Sequence, residues 1–334
     1  MSSESNPPEP VTRSAPTQER ASDASIDVAW LHYVGGLTQA EIAKQRGLSK
    51  ATVHRLLRAA HESGAVCVFI DAQPSAEVEL EQQMIARFGL TSCRLVPSTI
   101  TGEEQIRDGV ASLAARSLLS QLEVNKNAVI GLGVGRTLTA MARAFPRARY
   151  PDVEFVSLTG DFSVFRTGHS TDVLRRLADR TGGRGYAIAA PILANSETDR
   201  NVLMAQSGTR IALQKTRDAK LAFVGVGHLG EGSFLQAFNL VDKAELEELR
   251  ALGAVADFCG TLLDADGQPV DCDVARRVVA CHIDELAKKR NTAIAFGTGK
   301  IPAILSVLRA GLVAELISDT KTAELLLKSD WVAG

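Results

Sequence analysis

LTQAEIAKQRGLSKATVHRLLRAAH, residues Leu37 to His61, reads as two helices joined by a tight turn. Thr38 stands three residues before Glu41, the spacing of a capping box, in which each side chain reaches the other residue's unpaired backbone N–H. A short helix therefore runs to about Arg46. Gly47 and Leu48 supply the turn and Ser49 caps a second helix. Its apolar residues Val53, Leu56, Leu57 and Ala60 recur every three or four positions, which gives it one buried face. The opposite face carries Lys50, Thr52, His54, Arg55 and Arg58, and from Ile42 to His61 there are five Lys or Arg and no Asp or Glu. A solvated face ordinarily mixes both signs, so this bias favours a polyanion.

The expected element is a helix-turn-helix whose second helix enters the major groove of double-stranded operator DNA by its N-terminal turns. Candidate DNA-contacting residues are Thr38, Gln39, Ser49, Lys50, Thr52, His54 and Arg55, with Arg58, a turn later, placed at backbone phosphate. The plainer alternative is a pair of amphipathic helices in a helical subdomain. It requires capping, turn and one-sided charge to coincide by accident.

Working outward, the chain of 334 residues is long enough for two domains. A net charge of −2 means that any DNA binding comes from a local basic surface rather than from the molecule as a whole. No apolar run is long enough to span a bilayer, and the N-terminus lacks a signal-peptide core, so a cytoplasmic protein without a membrane partner is expected. Five cysteines with no C-x-x-C pair fit neither a disulfide framework nor a zinc cluster, and the spacing of Asp271, Cys272, Asp273, Cys281 and His282 matches no common metal site. Free thiols and no metal or other cofactor are the expectation.

Residues 1–25 are rich in Ser, Pro, Glu and Ala, with Val11 the one apolar residue beyond the initiator and alanines; they read as a disordered tail. The helix-turn-helix domain is placed at 26–71, with a short helix around Val28–Tyr33 ended by Gly35 and Gly36, and with Val66–Ile70 as a strand, the candidate wing. Residues 72–89 form a linker and connecting helix, whose apolar stripe from Val78 to Phe88 fits a dimer contact and internal packing equally.

From residue 90 to 330 short β-branched runs alternate with amphipathic stretches. The strand candidates are Cys93–Val96, Ala128–Gly131, Val153–Thr159, Gly185–Ala189, Leu221–Val226, Ala293–Phe296 and Ala314–Ser318. That alternation predicts an α/β domain, a mostly parallel sheet with helices on both faces. An inserted hairpin is expected over Asp257–Val270, turning at Asp264–Gly267.

Ligands of such sheets bind beyond the carboxyl ends of the strands. Four strand ends run into Gly- or Thr-rich loops: GLGVGRT (Gly131–Thr137), TGDFS (Thr159–Ser163), GVGHLG (Gly225–Gly230) and GTGK (Gly297–Lys300). Gly133 and Gly135 let backbone N–H groups approach an anion, and Thr137 stands where a helix begins, so a phosphate is the expected guest. The loop is neither a dinucleotide fingerprint, since Arg136 and Thr137 occupy the place of the third glycine, nor a Walker A motif. The candidate effector-binding residues are Gly133, Gly135, Arg136, Thr137, Thr159, Gly160, Asp161, Gly225, Gly227, His228, Asp257 and Lys300. Among them Lys300 could pair with the phosphate and Asp257 could bond a sugar hydroxyl. No nucleophile motif is present, so no catalytic residue is assigned.

Taken in order, these stretches resemble the SorC family of sugar-responsive transcriptional regulators. The marks are Val28–Ala60, FGL at Phe88–Leu90, GLGVGRTL at Gly131–Leu138, FVGVG at Phe223–Gly227, GAVADFCGTLLDADGQPV at Gly253–Val270, and the K-x-x-A-I-L-x-x-L-R-x-G-L pattern at Lys300–Leu312. The resemblance implies a winged helix-turn-helix joined to a Rossmann-like α/β effector domain with the fold of sugar-phosphate isomerases. It also implies a tetramer built as a dimer of dimers, and a phosphorylated sugar or polyol as effector. On it, the phosphate loop maps to Gly133, Gly135, Arg136 and Thr137, the sugar-side acid to Asp257 and the late lysine to Lys300. Two departures stand out: Phe296–Gly297 where the family commonly has two glycines before that lysine, and TGDFS where a Gly-Gly pair is frequent. AWLHYV and ANSETDRNVLMAQSG are similar to the sugar-alcohol branch, the regulators of erythritol catabolism. The expected function is a repressor of a carbohydrate or polyol operon. The alternative is a sugar-phosphate isomerase-like enzyme with a helical appendage, for which Asp161, His228 and Asp257 are the available acid–base trio.

Overall fold

The computed structural model describes residues 22–70, 74–161 and 170–330, which divide into two compact units between Val66 and Cys67. In the first unit α1 (Asp23–Ala29) is capped by Ser22 and runs into a π-helical turn at Trp30–Val34. α2 (Gln39–Arg46) and α3 (Lys50–Glu62) follow. The capping box forms as its spacing requires: the Glu41 N–H donates to Thr38 Oγ1 at 3.3 Å and the Thr38 N–H to Glu41 Oε2 at 2.8 Å. α2 stops at Gly47, whose φ of +65° admits the left-handed turn that a side chain would oppose. Ser49 then caps α3, its hydroxyl accepting from the Thr52 N–H at 3.1 Å. Val53, Leu56, Leu57 and Ala60 of α3 bury against Ile42 and Ala43 of α2 and Val28 and Ala29 of α1, a self-contained core.

Three boundaries differ from the sequence reading. Helix α1 begins at Asp23, inside the expected tail, because the Ser22 hydroxyl and carbonyl take up its first N–H groups; residues 1–21 lie outside the described residues. Val66–Ile70 is not a strand and makes no wing. The Val66 N–H donates to the Ala60 carbonyl, whereas Val68 accepts from the Ser112 hydroxyl at 3.1 Å and Phe69 packs into the second unit. The segment's partners are therefore helical residues, and among the described residues no neighbouring strand pairs with it. The first unit accordingly ends at Val66 rather than at 71.

In the second unit α4 (Ser75–Phe88) buries Met84 and Phe88 of the expected stripe beside Cys93, Leu95 and Leu316, while Val78 at its start is exposed. The seven-stranded sheet holds β1 (Ser92–Val96), β2 (Val129–Leu132), β3 (Glu154–Ser157), β4 (Arg184–Tyr186), β5 (Leu221–Gly225), β9 (Arg290–Ile294) and β10 (Glu315–Asp319), every pairing parallel, in the order β1-β10-β9-β5-β2-β3-β4. A small antiparallel sheet holds β6 (Gly227–His228), β7 (Ala254–Phe258) and β8 (Thr261–Asp264). Alternate residues of the central strands feed two cores. Phe223, Ile294 and Ile317 point to one, with α5 (Glu103–Val124) and α6 (Arg136–Ala144); Ala222, Val224, Ala293 and Leu316 point to the other. Burial on both faces is why these strands read as unbroken apolar runs. The hairpin reverses at Cys259–Gly260, where φ is +52° and +84°; the expected turn at Asp264–Gly267 is a second reversal that brings Pro269 back beside Leu263. No helix among the described residues is long and apolar enough to cross a membrane.

Candidate functional site

The carboxyl ends of β2, β5 and β9 and the small antiparallel sheet enclose a cavity of about 620 Å³. One side is the start of α6. Gly135 holds φ at +131°, a conformation that glycine tolerates and that turns the chain from β2 into the helix. No side chain caps this helix, so its first N–H groups and the positive end of its dipole face the cavity, where Gly133, Gly135, Arg136 and Thr137 all contribute to the lining.

Lys300, in a 3₁₀ turn ahead of the helix Ile301–Arg309, enters from β9 and donates from Nζ to the Val226 carbonyl at 2.9 Å. Burial, and then the charges of Arg136 and Arg107, push its ammonium down to about 8. His228, also in the lining, accepts the Gly230 N–H at Nδ1; its pKa is lowered by burial and by Lys300, Arg136 and Arg250. This end of the cavity is thus crowded with positive charge, and the carboxylate at hand in the lining is Glu103, which pairs with Arg107.

The other end is built by β7. Burial raises Asp257 to about 6, against the N–H of Gly260, which donates to its Oδ1 at 2.8 Å. Thr159 is fully buried in the lining, and among the described residues its hydroxyl has no hydrogen-bond partner, an orphaned polar group that a ligand hydroxyl would satisfy. Phe234, Phe238, Ile192 and Phe296 supply apolar walls.

Ten of the twelve expected effector residues therefore line one cavity: Gly133, Gly135, Arg136, Thr137, Thr159, Gly225, Gly227, His228, Asp257 and Lys300. Gly160 and Asp161 do not. Their backbone is stitched to neighbouring segments, the Gly160 N–H donating to the Val279 carbonyl, the Asp161 N–H to the Ala190 carbonyl, and the Asp161 carbonyl accepting from the Ile192 N–H, so isolated backbone bridges hold the chain where an open loop was expected. Phe162 and Ser163, the end of TGDFS, lie outside the described residues. Arg107, Glu103, Phe234 and Phe238 were not legible as site residues, because nothing near them in the sequence marks the loops they face; Phe296 and Cys259 stand beside the marked GTGK loop and Asp257 but carry no ligand-binding pattern of their own. The guanidinium of Arg107 stands 6.0 Å from the ring centroid of Phe296, the residue at one of the two positions where the resemblance commonly has glycine.

On the first unit Lys50, His54, Arg55 and Arg58 of α3 are exposed, opposite its buried face. Thr38 is occupied in the capping box, Gln39 opens α2, and Ser49 and Thr52 bond one another at 2.9 Å. Arg58 is paired with Glu62 and Arg46 with Asp27, so among the described residues the basic charge of α3 free of ion pairs is that of Lys50 and Arg55.

Comparison with known proteins adds two family matches: the Sugar-bind family, a sugar-binding domain, over residues 72–328, and the IclR helix-turn-helix domain over residues 31–66. The chain is 33% identical over 304 residues to the erythritol catabolism regulatory protein EryD of Brucella abortus, covering 91% of this chain and 96% of that protein. It is 26% identical to the sorbitol operon regulator of Klebsiella pneumoniae, covering 91% of this chain and 97% of that one. The solved structure of full-length SorC from Klebsiella pneumoniae superposes with a TM-score of 0.71 at 25% identity, over 91% of this chain and 98% of that chain.

Proposed function

This chain belongs to the SorC family of sugar-responsive transcriptional regulators, and from that premise we propose that it represses a polyol or sugar operon until a phosphorylated sugar or sugar alcohol fills the cavity. Its relatives are regulators rather than enzymes, and the isomerase alternative also lacks its trio, since Asp161 lies outside the cavity lining. The observation that carries the proposal is the polarity of the cavity. Arg136, Lys300, Arg107 and the uncapped start of α6 suit a phosphate at one end, while Asp257 and Thr159 suit hydroxyls at the other. A tetritol phosphate is the class favoured by the likeness to the erythritol regulator.

Binding would favour one arrangement of subunits in a tetramer built as a dimer of dimers, and so change the spacing of paired α3 helices on operator DNA. An effector moves DNA affinity only by its preference between arrangements, about 1 to 3 kcal/mol in typical cases. The test is a thermal-shift screen of the full chain against free and phosphorylated sugars and tetritols, followed by gel-shift titration on DNA upstream of its own gene. Stabilisation by free and phosphorylated forms alike would refute the phosphate assignment. Stabilisation without any change in DNA affinity would refute the gating.

A further inference from the structure

The GTGK loop that brings Lys300 to the cavity is held from behind. Gly297 opens it at φ +100°, a conformation that glycine tolerates, and the Gly297 carbonyl accepts the Lys300 N–H at 3.0 Å, closing the 3₁₀ turn Thr298–Lys300. The Gly297 N–H is engaged outside that turn. It donates to Thr322 Oγ1 at 2.9 Å and to Asp319 Oδ2 at 3.3 Å. Gly297, Thr298, Gly299 and Lys300 line the cavity, whereas Asp319 and Thr322 do not belong to the lining.

Asp319 ends β10 and caps the helix Thr320–Lys328, for which one oxygen is enough: the Thr322 N–H donates to Oδ1 at 3.0 Å. The other oxygen has no part in that bond. Oδ2 accepts the Thr322 hydroxyl as well as the Gly297 N–H, so the carboxylate fixes the hydroxyl with its proton toward Asp319 and a lone pair toward Gly297. At 6% and 0% exposure Asp319 and Thr322 are sheltered from water that would compete for these bonds. By charge alone a carboxylate behind Gly297 opposes an anion in the cavity; what it contributes there is geometry.

We infer that Asp319 and Thr322 are positioning residues for the phosphate of the effector. By gripping the Gly297 N–H they hold the Thr298–Lys300 turn, and with it the ammonium of Lys300, which is steadied at its far end by the Val226 carbonyl. Neither residue touches the ligand; both act through Gly297. The inference deepens the reading of the cavity as a phosphate site and rests on it.

The test uses the full chain and two probes, free erythritol and its terminal phosphate monoester. Wild type, Thr322→Val, Thr322→Ser and Asp319→Asn are titrated with both, and their melting temperatures are recorded. Thr322→Val should bind the monoester about 10-fold more weakly, the worth of one hydrogen bond, with free erythritol unchanged. Thr322→Ser keeps the hydroxyl and the wild-type affinity. Asp319→Asn retains an oxygen for the cap but sets an NH2 group where Oδ2 accepts. For that variant capping alone predicts no change, lost charge alone predicts tighter binding of the monoester, and positioning predicts binding about 10-fold weaker. An unchanged preference for the monoester in Thr322→Val and Asp319→Asn overturns the inference, whether or not their melting temperatures fall. A loss that serine fails to restore overturns it too. A wild type that does not prefer the monoester to free erythritol refutes the phosphate reading itself and the inference with it, an outcome settled before any variant is compared.

Discussion

Asp257→Asn is expected to make the ligand-free protein more stable at pH 8, at the expense of its response to sugar. Burial pushes the Asp257 carboxyl up from 3.8 to about 6, with the single bond from the Gly260 N–H opposing it. A carboxyl whose folded pKa lies above its unfolded value leaves stability untouched while both states are protonated. Stability then falls as pH rises from about 3.8 to about 6 and stays low above that. A shift of about 2 units corresponds to ~3 kcal/mol at pH 8 and roughly half of that at pH 5. Because the carboxyl borders an open cavity, solvent screening makes ~3 kcal/mol an upper bound. Asparagine has the same shape, keeps an acceptor for the Gly260 N–H and cannot ionise. At ~2 to 4 °C per kcal/mol for a chain of this size, the variant should melt up to ~6 to 12 °C above wild type at pH 8, and by about half that margin at pH 5. Thermal unfolding of both proteins without ligand at the two pH values measures this. A variant that melts at or below wild type at pH 8, or whose margin is the same at both, refutes the placement of a destabilising carboxylate in the cavity. The same change should weaken a hydroxylated effector by about 10- to 100-fold, the worth of ~1.5 to 3 kcal/mol for a hydrogen bond to a charged group.

Three further outcomes follow from the same geometry. Affinity for a phosphorylated effector should fall as pH rises through about 8, where the Lys300 ammonium loses its proton, and Lys300→Met should bind more weakly with that pH dependence gone; isothermal titration across pH 7 to 9.5 reads both. Arg55→Ala, which removes an exposed cation from α3 without disturbing an ion pair, should weaken operator binding by ~1 to 3 kcal/mol if Arg55 reads a base edge; an unchanged gel shift at low salt would contradict that placement. Leu57→Ala opens a cavity in the core of the first unit and should destabilise that unit by about 2 to 5 kcal/mol. Since the sugar-binding unit has its own cores, DNA binding should be lost while the thermal shift with effector persists.

The parts of this protein that were legible in its sequence are those whose causes are local. The capping box at Thr38–Glu41, the left-handed Gly47 and the four-residue stripe of α3 act within a few residues of one another, so their spacing alone specifies the helix-turn-helix. The central strands β2 and β5 were legible because both faces are buried and no polar alternation interrupts them, whereas β4 is an exposed Arg184–Tyr186 edge and β9 opens on Arg290, Asn291 and Thr292, so both were read too far along the chain. Gly- and Thr-rich loops marked the cavity because ligands of parallel sheets gather at the carboxyl ends of the strands. The wing went wrong where an apolar stretch has more than one partner available; the turn expected at Asp264–Gly267 is present, and what went unread is the earlier reversal at Cys259–Gly260. Val66–Ile70 has the composition of a strand, and only the positions of Ser112 and the core around Phe69 decide that its bonds go to a helix.

By itself, then, the sequence determined the helix-turn-helix, the parallel α/β unit and the glycines at the strand ends, since each depends on short-range sterics, hydrogen-bond spacing and the period of apolar residues. Tertiary structure alone decided what the cavity is chemically. It brought Arg107 from α5 beside Arg136 and Lys300, tied the backbone of Gly160 and Asp161 to neighbouring segments, and left the Thr159 hydroxyl buried without a partner among the described residues. It also set Asp257 near 6 and Lys300 near 8, because burial and the summed field of distant charges depend on which segments fold against one another and on no spacing along the chain.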